Sequence, residues 1–287
     1  MGARLGLGTA PFLAGYGVGD GDAARPDDQR ALLHAALDGG IRDIDTSPVY
    51  GDAEARVGEV AARLREVGAR IYLKYTAAAW RTGLAGSLER LRQTSVDCFM
   101  IHNADAAVLE DRALAGDLQR LKASGLVRRA GASTYGTTDA VAVLAAPWCD
   151  VIQVEHSLLN PRVVAALLAR KRAGQEIVVR SVLCKGLLTS RRTGAAVDGA
   201  ARRRLDALAA LAAAWGFEDL SDLAVRYALD TPGVDVVLVG VATAPELAAA
   251  FRGRAHAPLT AAQRAALVEF DHAAEDWTHP ERWAVPA

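Results

Sequence analysis

The feature that most constrains the fold is an alternation of short apolar segments with longer amphipathic segments, which repeats eight times along the chain. We predict these apolar segments as strands: Leu5–Gly8, Ile41–Asp45, Ile71–Tyr75, Cys98–His102, Arg129–Ala132, Val151–Val154, Ile177–Val182 and Val234–Val239. Several are rich in β-branched residues, as strands buried on both faces of a parallel sheet are. With short links and no break in composition, the pattern predicts an α/β fold, a (β/α)₈ TIM barrel that forms a single domain over residues 1–287.

The segments between the strands carry helix signals. One predicted helix opens at Asp27 and closes at Gly39, where glycine is typical of a C-cap. The other predicted helices are Ala53–Val67, Gly83–Arg92, Ala113–Ser124, Thr138–Ala145, a helix from Pro161 to Gly174, Ala200–Trp215, Leu220–Leu229, Thr243–Phe251 and a tail helix or loop from about Thr260. The stretch Ser190–Gly199 is predicted as a loop after the seventh strand. A doubly wound sheet is the competing architecture, but the turn after the first strand lacks the third glycine of its dinucleotide fingerprint.

Composition narrows the classes of partner. With 33 basic and 34 acidic residues, the formal net charge is -1, so no field over the whole domain favours nucleic acid or a membrane surface. The three cysteines are widely spaced, and neither an HxH pair nor a CxxC motif occurs, so we expect no metal site. No long apolar run is present at the start or elsewhere, so we expect neither a signal peptide nor a membrane span. We therefore expect a cytoplasmic protein that acts on a small molecule.

Four chemically reactive side chains follow three consecutive predicted strands. Asp45 ends the second strand with Tyr50 just beyond it, Lys74 lies on the third strand, and His102 ends the fourth. The carboxyl ends of barrel strands meet at one mouth, so these side chains should line one pocket. A lysine ammonium near a phenol lowers the pKa of the phenol, a carboxylate can hold that lysine in place, and a histidine can hydrogen-bond a substrate oxygen. Such a phenol can protonate a developing alkoxide or deprotonate an alcohol.

Each of these residues also has a structural interpretation. An aspartate and a lysine at strand ends often form only a buried ion pair, and a lone tyrosine or histidine more often packs in the core. The four together, on consecutive strands, favour a catalytic site.

These residues also match a known family. The segment from Gly40 to Gly51, GIRDIDTSPVYG, resembles the aldo-keto reductase signature around a catalytic Asp and Tyr, here Asp45 and Tyr50. Lys74 in LKYT and His102 in MIHN resemble the catalytic Lys and His of the family. The resemblance implies a (β/α)₈ barrel, a nicotinamide cofactor bound in extended form, and reversible reduction of aldehydes or ketones. In that scheme Tyr50 is the general acid, Lys74 and Asp45 tune it, and His102 orients the carbonyl.

The resemblance also implies residues that hold the nicotinamide. Ser133 matches the segment after strand five, but the next residue, commonly Asn in the family, is Thr134 here, and Gln153 matches the amide-binding Gln of strand six. Arg180 stands where many members have an aromatic residue. A guanidinium there can stack on a flat ring or face an anionic substrate. Further cofactor contacts are implied at Ser181, Leu183 and Gly186.

The adenine end of the cofactor site is implied by the stretch after strand eight. Gly240, Thr243 and Glu246 lie there, and Ala242 occupies a region where members selective for NADPH place Arg or Lys for the 2′-phosphate. A carboxylate such as Glu246 favours a free ribose hydroxyl. NADP(H) is the family default and NAD(H) the alternative, with Arg252 as a candidate phosphate partner. Thr243 also has a simple interpretation as a helix N-cap.

The substrate pocket is predicted to include Trp80, which follows strand three, and Asn103, which follows His102. The Ser190–Gly199 link and the tail after Thr260, with Trp277 and Trp283, are the segments expected to set substrate choice.

Three alternatives to a carbonyl reductase stay open at the level of sequence. The same residues could run the reverse reaction in an NAD-linked dehydrogenase that oxidises an aldose or another alcohol. Lys74 could serve as the nucleophilic amine of a Schiff-base enzyme. The chain could also be a weakly active cofactor-binding regulatory protein. The sequence specifies neither the substrate, nor the physiological direction, nor the oligomeric state.

Overall fold

Eight parallel strands close into a barrel in the order of the sequence. The structure is a computed structural model, and it describes residues 2–18, 25–195 and 197–271. The strands are β1 (Arg4–Gly8), β2 (Asp43–Thr46), β3 (Arg70–Tyr75), β4 (Val96–Ala104), β5 (Val127–Thr134), β6 (Val151–Glu155), β7 (Glu176–Arg180) and β8 (Val236–Gly240). β1 pairs with β8, with Leu7 opposite Val239 and Gly8 opposite Gly240, and this pairing closes the barrel. The predicted (β/α)₈ fold is confirmed.

Helices connect successive strands and cover the outside of the barrel. They are α1 (Pro26–Asp38), α2 (Ala53–Glu59), α3 (Ala61–Glu66), α4 (Trp80–Arg90), α5 (Leu114–Ala123), α6 (Thr137–Ala145), α7 (Arg162–Leu168), α8 (Gly199–Ala214), α9 (Leu220–Leu229), α10 (Ala244–Ala255) and α11 (Ala261–Leu267). No helix in these described parts combines the length and the hydropathy needed to cross a bilayer.

Several predicted boundaries differ from the structure by a few residues; α4, for example, begins at Trp80 and not at Gly83. The helix predicted over Ala53–Val67 is two helices, because the backbone of Val60 leaves helical geometry with φ −102° and ψ 16°. The helix predicted to run from Pro161 to Gly174 already ends at Leu168. Strand β7 ends at Arg180 and not at Val182, since Ser181 takes a positive φ of 60° that a strand cannot continue. Part of the predicted tail, with Trp277 and Trp283, lies outside the described residues.

The amino-terminal end of the barrel is filled by charged side chains. Glu176 pairs with Arg4 and Arg129, and Asp43 pairs with Arg4 and Arg70. The Tyr72 hydroxyl lies 3.1 Å from Asp43 Oδ1 and 3.2 Å from Glu176 Oε2. This cluster neutralises two buried carboxylates at the end of the barrel that is usually associated with stability and not with catalysis. Above it lies an apolar layer of inward-facing residues: Cys98, Met100, Val151, Val178, Val236 and Leu238.

One buried histidine makes the stability of the fold depend on pH. His156 follows β6, stacks on the ring of Tyr227 and shares a hydrogen bond with Thr231 Oγ1 at 2.8 Å. Its Nδ1 has no hydrogen-bond partner among the described residues, and burial lowers the pKa of His156 to about 4. The folded protein therefore keeps this imidazole neutral at a pH where the unfolded chain protonates it.

We expect acidification to destabilise the protein through His156. The unfolded histidine takes up a proton as the pH falls through about 6.5, and the folded one does not, so His156 should cost about 2 kcal/mol of unfolding free energy between pH 7.5 and 5. Urea denaturation at both pH values should show a pH-dependent loss about 2 kcal/mol smaller in His156→Gln than in wild type. The same substitution at exposed His34 is the control. An equal loss in wild type and His156→Gln would contradict the prediction.

Candidate active site

The carboxyl ends of the strands bring the four predicted catalytic residues to one cavity. Asp45, Tyr50, Lys74 and His102 all line a chamber of about 220 Å³ at the mouth of the barrel. Because β2, β3 and β4 are hydrogen-bonded neighbours in register, consecutive strands deliver these side chains to the same mouth. The sequence prediction that they share a pocket agrees with this geometry. In the described parts of the chain, no cluster of three or more His, Cys, Asp or Glu side chains could hold a metal ion.

A buried polar network forms the floor of this chamber. The Lys74 ammonium donates to Asp45 Oδ2 at 2.7 Å and to Gln153 Oε1 at 3.1 Å. The Gln153 amide in turn donates to Asp45 Oδ1 at 2.8 Å, and Ser133 Oγ donates to Gln153 Oε1 at 3.0 Å. Lys74 is only 1% exposed, so its ammonium needs this ion pair and these hydrogen bonds to remain buried. A lysine held in this way is a fixed positive charge and not a free amine.

Tyr50 lies above this network, edge-on to His102. The two ring centroids are 5.9 Å apart with planes at 87°, and Lys74 Nζ lies 5.2 Å from the centre of the Tyr50 ring. Burial raises the pKa of Tyr50 well above its usual range, and the charge of Asp45 raises it further. The predicted net lowering of the Tyr50 pKa is wrong, because burial and Asp45 outweigh the positive charge of Arg180. Tyr50 is therefore a protonated phenol at neutral pH.

His102 is neutral in this environment. Burial, followed by the positive charges of Lys74 and Arg180, lowers the pKa of His102 to about 3. A neutral imidazole can donate its one N–H to a substrate oxygen, but it lacks the second, acidic proton of an imidazolium that could be transferred at ordinary pH. Its neighbour Asn103 also lines the chamber and has a positive φ of 52°.

Trp80 lies elsewhere, and its predicted place in the pocket wall is wrong. It begins α4 and packs, 4% exposed, on Phe99, with ring centroids 5.5 Å apart. Phe99 alternates along β4 with the inward-facing Cys98 and Met100, so it points to the helix layer. Trp80 is therefore part of the core between sheet and helices, even though it follows β3 closely in sequence.

The residues predicted to hold the nicotinamide amide lie beneath the chamber. Ser133, Thr134 and Gln153 are fully buried and are not among the residues that line it. The Gln153 amide, predicted to bind the nicotinamide amide, is engaged by Asp45 and Lys74. The Thr134 hydroxyl has no hydrogen-bond partner among the described residues. Of the three, Thr134 alone has a polar side-chain atom left over for a ligand.

Arg180 lines the chamber and lies flat against an aromatic ring of the protein itself. Its guanidinium carbon is 3.7 Å from the centre of the Tyr135 ring. It donates to Thr134 O at 2.8 Å, to Ser181 Oγ at 3.2 Å and to Ser133 Oγ at 3.3 Å. Stacking on Tyr135 was not predicted, because nothing in the sequence pairs these two residues.

A trough leads from the chamber toward the amino-terminal end of α10. Its middle section is lined by the predicted residues Ser181, Leu183, Gly186, Gly240 and Glu246. It shares residues with the catalytic chamber at one end and, at the other, with a cavity of about 470 Å³. Two of these positions are glycines, and Gly240 lies close against the wall of the trough. A Cβ on Gly240 would lie 2.8 Å from the Pro11 ring.

The far end of the trough is rich in carboxylates. Glu246 accepts from the Ala242 backbone amide at 2.7 Å and from Arg191 at 3.3 Å. Arg252, the candidate phosphate partner, donates instead to the fully buried Asp222 at 3.0 and 3.3 Å and also pairs with Glu218. Thr243 caps α10 through the Glu246 amide and does not line the trough, which supports its simpler interpretation.

Three residues of the site were missed by sequence reasoning. Tyr16 lines both the chamber and the trough, and burial raises its pKa above the usual range. Lys185 also lines both, and Arg191 donates to the carbonyls of Tyr16 and Val18. The available signal was position alone, because each follows a barrel strand and loops after strands open on the same mouth.

Comparison with known proteins identifies the family of this site. The model of the aldo/keto reductase family matches residues 4–272. The aldo-keto reductase YhdN of Bacillus subtilis is 26% identical over 278 residues, which cover 83% of this chain and 81% of that protein. The NADH-specific methylglyoxal reductase of Escherichia coli is 28% identical over 235 residues, 70% of this chain and 69% of that protein. The glycerol dehydrogenase AKR11B4 of Gluconobacter oxydans superposes with a TM-score of 0.73 at 24% identity, covering 94% and 91% of the two chains. The chain therefore belongs to the aldo/keto reductase family.

Proposed function

We propose that this oxidoreductase reduces a small aldehyde or ketone to an alcohol, with Tyr50 as the general acid and a nicotinamide cofactor as the source of hydride. The observation that carries the proposal is a protonated, partly buried phenol in one chamber with a fixed ammonium and a neutral imidazole. This combination suits delivery of a proton to a carbonyl oxygen as negative charge develops on it.

The proton comes from the Tyr50 hydroxyl. As it leaves, negative charge forms on the phenol oxygen, and Lys74 lies 5.2 Å from the centre of that ring. The network of Asp45 and Gln153 holds the lysine in place before the reaction, so no reorganisation is needed when the charge appears. A dihydronicotinamide, when bound, would supply the hydride, and the protein would supply position and charge.

His102 has a different task from Tyr50. Its pKa of about 3 keeps it neutral, so it can hydrogen-bond the carbonyl oxygen without competing as the acid. Two groups with widely separated pKa values thus divide the work of orienting and protonating.

The trough suits an extended dinucleotide. It runs from the catalytic chamber past the glycines Gly186 and Gly240 to the cavity beside α10. Ser181, Leu183 and Gly186 would hold the middle of the molecule, and the unpaired Thr134 hydroxyl lies next to Ser133 at the nicotinamide end.

We further propose that the cofactor is NAD(H), in preference to the family default NADP(H). The cavity at the far end of the trough is lined by Glu218, Asp219 and Glu246, which would repel a 2′-phosphate. Arg252 is already paired with Asp222 and Glu218, and Ala242 offers no charge. The relative from Escherichia coli is named as specific for NADH.

The Schiff-base alternative has less support. A nucleophilic amine must lose its proton, whereas Lys74 donates to both Asp45 and Gln153 as a buried ammonium. The oxidative direction uses the same residues in reverse, with Tyr50 as the base after it has lost its proton, and its raised pKa disfavours that role at neutral pH.

Replacing Tyr50 with Phe should remove the acid and leave the trough intact. We expect kcat for reduction to fall by at least about 10²-fold, while the dissociation constant of the cofactor changes by less than about twofold. Stopped assays with a small aldehyde and quenching of tryptophan fluorescence measure the two quantities. Tyr227→Phe, which removes a hydroxyl outside the chamber, is the control. Retention of wild-type kcat in Tyr50→Phe would exclude Tyr50 as the acid.

The reduction rate should depend little on pH near neutrality. Because the pKa of His102 is about 3 and that of Tyr50 lies well above its usual range, neither group changes its charge between about pH 5 and 8. We expect kcat at saturating substrate and cofactor to be constant across that interval. A titration step near pH 6.5 in wild type that disappears in His102→Gln would show that the imidazole is protonated in the working enzyme.

Cofactor preference tests the far end of the trough. We expect kcat/KM to be at least about tenfold higher with NADH than with NADPH, because the cavity there is lined by three carboxylates and its two arginines, Arg191 and Arg252, are already paired with carboxylates. Ala242→Arg should raise kcat/KM for NADPH by about tenfold through a charge-assisted contact, and Ala242→Gln is the neutral control of similar length. Preference of the wild-type enzyme for NADPH would refute the proposed arrangement.

A further inference from the structure

The catalytic chamber carries more positive than negative charge. Among its described lining residues, the cations are Lys74, Arg180 and Lys185, and Asp45 is the one carboxylate. Asp45 is bound to Lys74 at 2.7 Å, so its charge is already offset. A neutral aldehyde or ketone has no use for the charge of Arg180, which makes no ion pair within the described residues. An anionic group on the substrate would have a use for it.

Arg180 is the cation best placed to receive such a group. Within the described residues it makes no ion pair, and its three hydrogen bonds go to the neutral oxygens of Ser133, Thr134 and Ser181. These bonds use one N–H on each of its three nitrogens. Since a guanidinium has five N–H donors, one remains on each terminal nitrogen. Two such donors can bind both oxygens of one carboxylate.

The position of the Arg180 guanidinium is fixed before any ligand arrives. Tyr135 supports one face at 3.7 Å, and the three hydrogen bonds hold its edge. A group fixed in this way loses little conformational entropy when it binds a ligand. The depressed pKa of His102 is a second sign that this charge reaches the reacting centre, since Lys74 and Arg180 both contribute to it.

Arg180 also belongs to the chamber and not to the cofactor trough. It lines the cavity that contains Tyr50 and His102, but it is not among the residues of the trough's middle section, where Lys185 and Arg191 supply positive charge. The chamber measures about 220 Å³. A space of this size, shared with a nicotinamide ring, admits only a small substrate.

We propose that Arg180 binds a carboxylate of the substrate, so that the enzyme prefers small aldehydes or ketones that also carry an acid group. The carbonyl would lie at Tyr50 and His102, and the carboxylate at the remaining N–H donors of Arg180. This assignment rests on the proposed reductase function and names the substrate class for it.

Two aldehydes of the same shape test the proposal. 4-Carboxybenzaldehyde carries the anion, and 4-carbamoylbenzaldehyde replaces it with a neutral amide. We expect kcat/KM with NADH to be at least about tenfold higher for the carboxylate in wild type, and the ratio to fall to about one in Arg180→Gln. Arg180→Lys should keep part of the preference, because it retains the charge and loses the planar pair of donors. In Arg180→Gln the KM for the carboxylate should rise to about that for the amide, so the loss of preference should appear mainly in the ratio of the two KM values.

A matched control keeps the same kind of contact on the outer surface. The Arg81 guanidinium lies 4.7 Å from the centre of the Trp80 ring and pairs with Asp111 and Asp117. Arg81→Gln should therefore leave the carboxylate preference at the wild-type value. Binding of benzoate and of benzamide to the enzyme with NADH, followed by tryptophan fluorescence, measures recognition of the anion without turnover. Benzoate should bind at least about tenfold more tightly than benzamide, and Arg180→Gln should abolish the difference.

The outcomes separate this proposal from the reductase function. Equal kcat/KM for the two aldehydes in wild type, or a preference that survives in Arg180→Gln, would overturn the carboxylate site while leaving the reductase function in place. If neither aldehyde is reduced, the proposed function fails, and the site is then judged by benzoate alone. Benzoate binding that depends on Arg180 supports it, and equal binding of benzoate and benzamide overturns it.

Discussion

The buried ion pair between Lys74 and Asp45 determines the arrangement of the whole mouth. Both side chains are almost fully buried, so each needs the opposite charge of the other. The Gln153 amide completes their hydrogen bonding, since it accepts from Lys74 and donates to Asp45. Three strands, β2, β3 and β6, are thereby tied together across the barrel. Tyr50 and His102 lie above this fixed network. Burial and the charges of the surrounding residues set the pKa values of both side chains.

The same alternation of side chains explains both ends of the barrel. On β2, Asp43 and Asp45 are two residues apart and point to the same interior, as are Tyr72 and Lys74 on β3. The lower member of each pair joins the arginine cluster at the amino-terminal end, and the upper member joins the catalytic floor. The apolar layer between them separates the two sets of charges. The same alternation thus places the stabilising ion pairs and the candidate catalytic residues at opposite ends of the barrel, as this fold permits.

The sequence predicts the features that depend on the local spacing of residues. It does not predict the contacts that form only when the barrel closes. Strand spacing is enough to bring Asp45, Lys74 and His102 to one mouth. The contact of Gln153 with Asp45 spans 108 residues and exists only once the barrel has closed, so no local pattern indicates it. Trp80 shows the opposite error. It follows β3 closely in sequence, but it begins α4, and its side chain packs on Phe99 in the core between the sheet and the helices.

Burial and the positive charge of Arg180 act in opposite directions on the pKa of Tyr50, and this opposition suits the proposed role of general acid. Burial and Asp45 favour the protonated phenol before the reaction, whereas Arg180 favours the phenolate. Because the ring is partly buried, a cation near it stabilises the charge that appears in the transition state more than it would in solution. A carboxylate on Arg180 would cancel part of that help, and Lys74 would then be the main source of it. The network that holds Lys74 therefore matters most for the substrates that Arg180 is best built to bind.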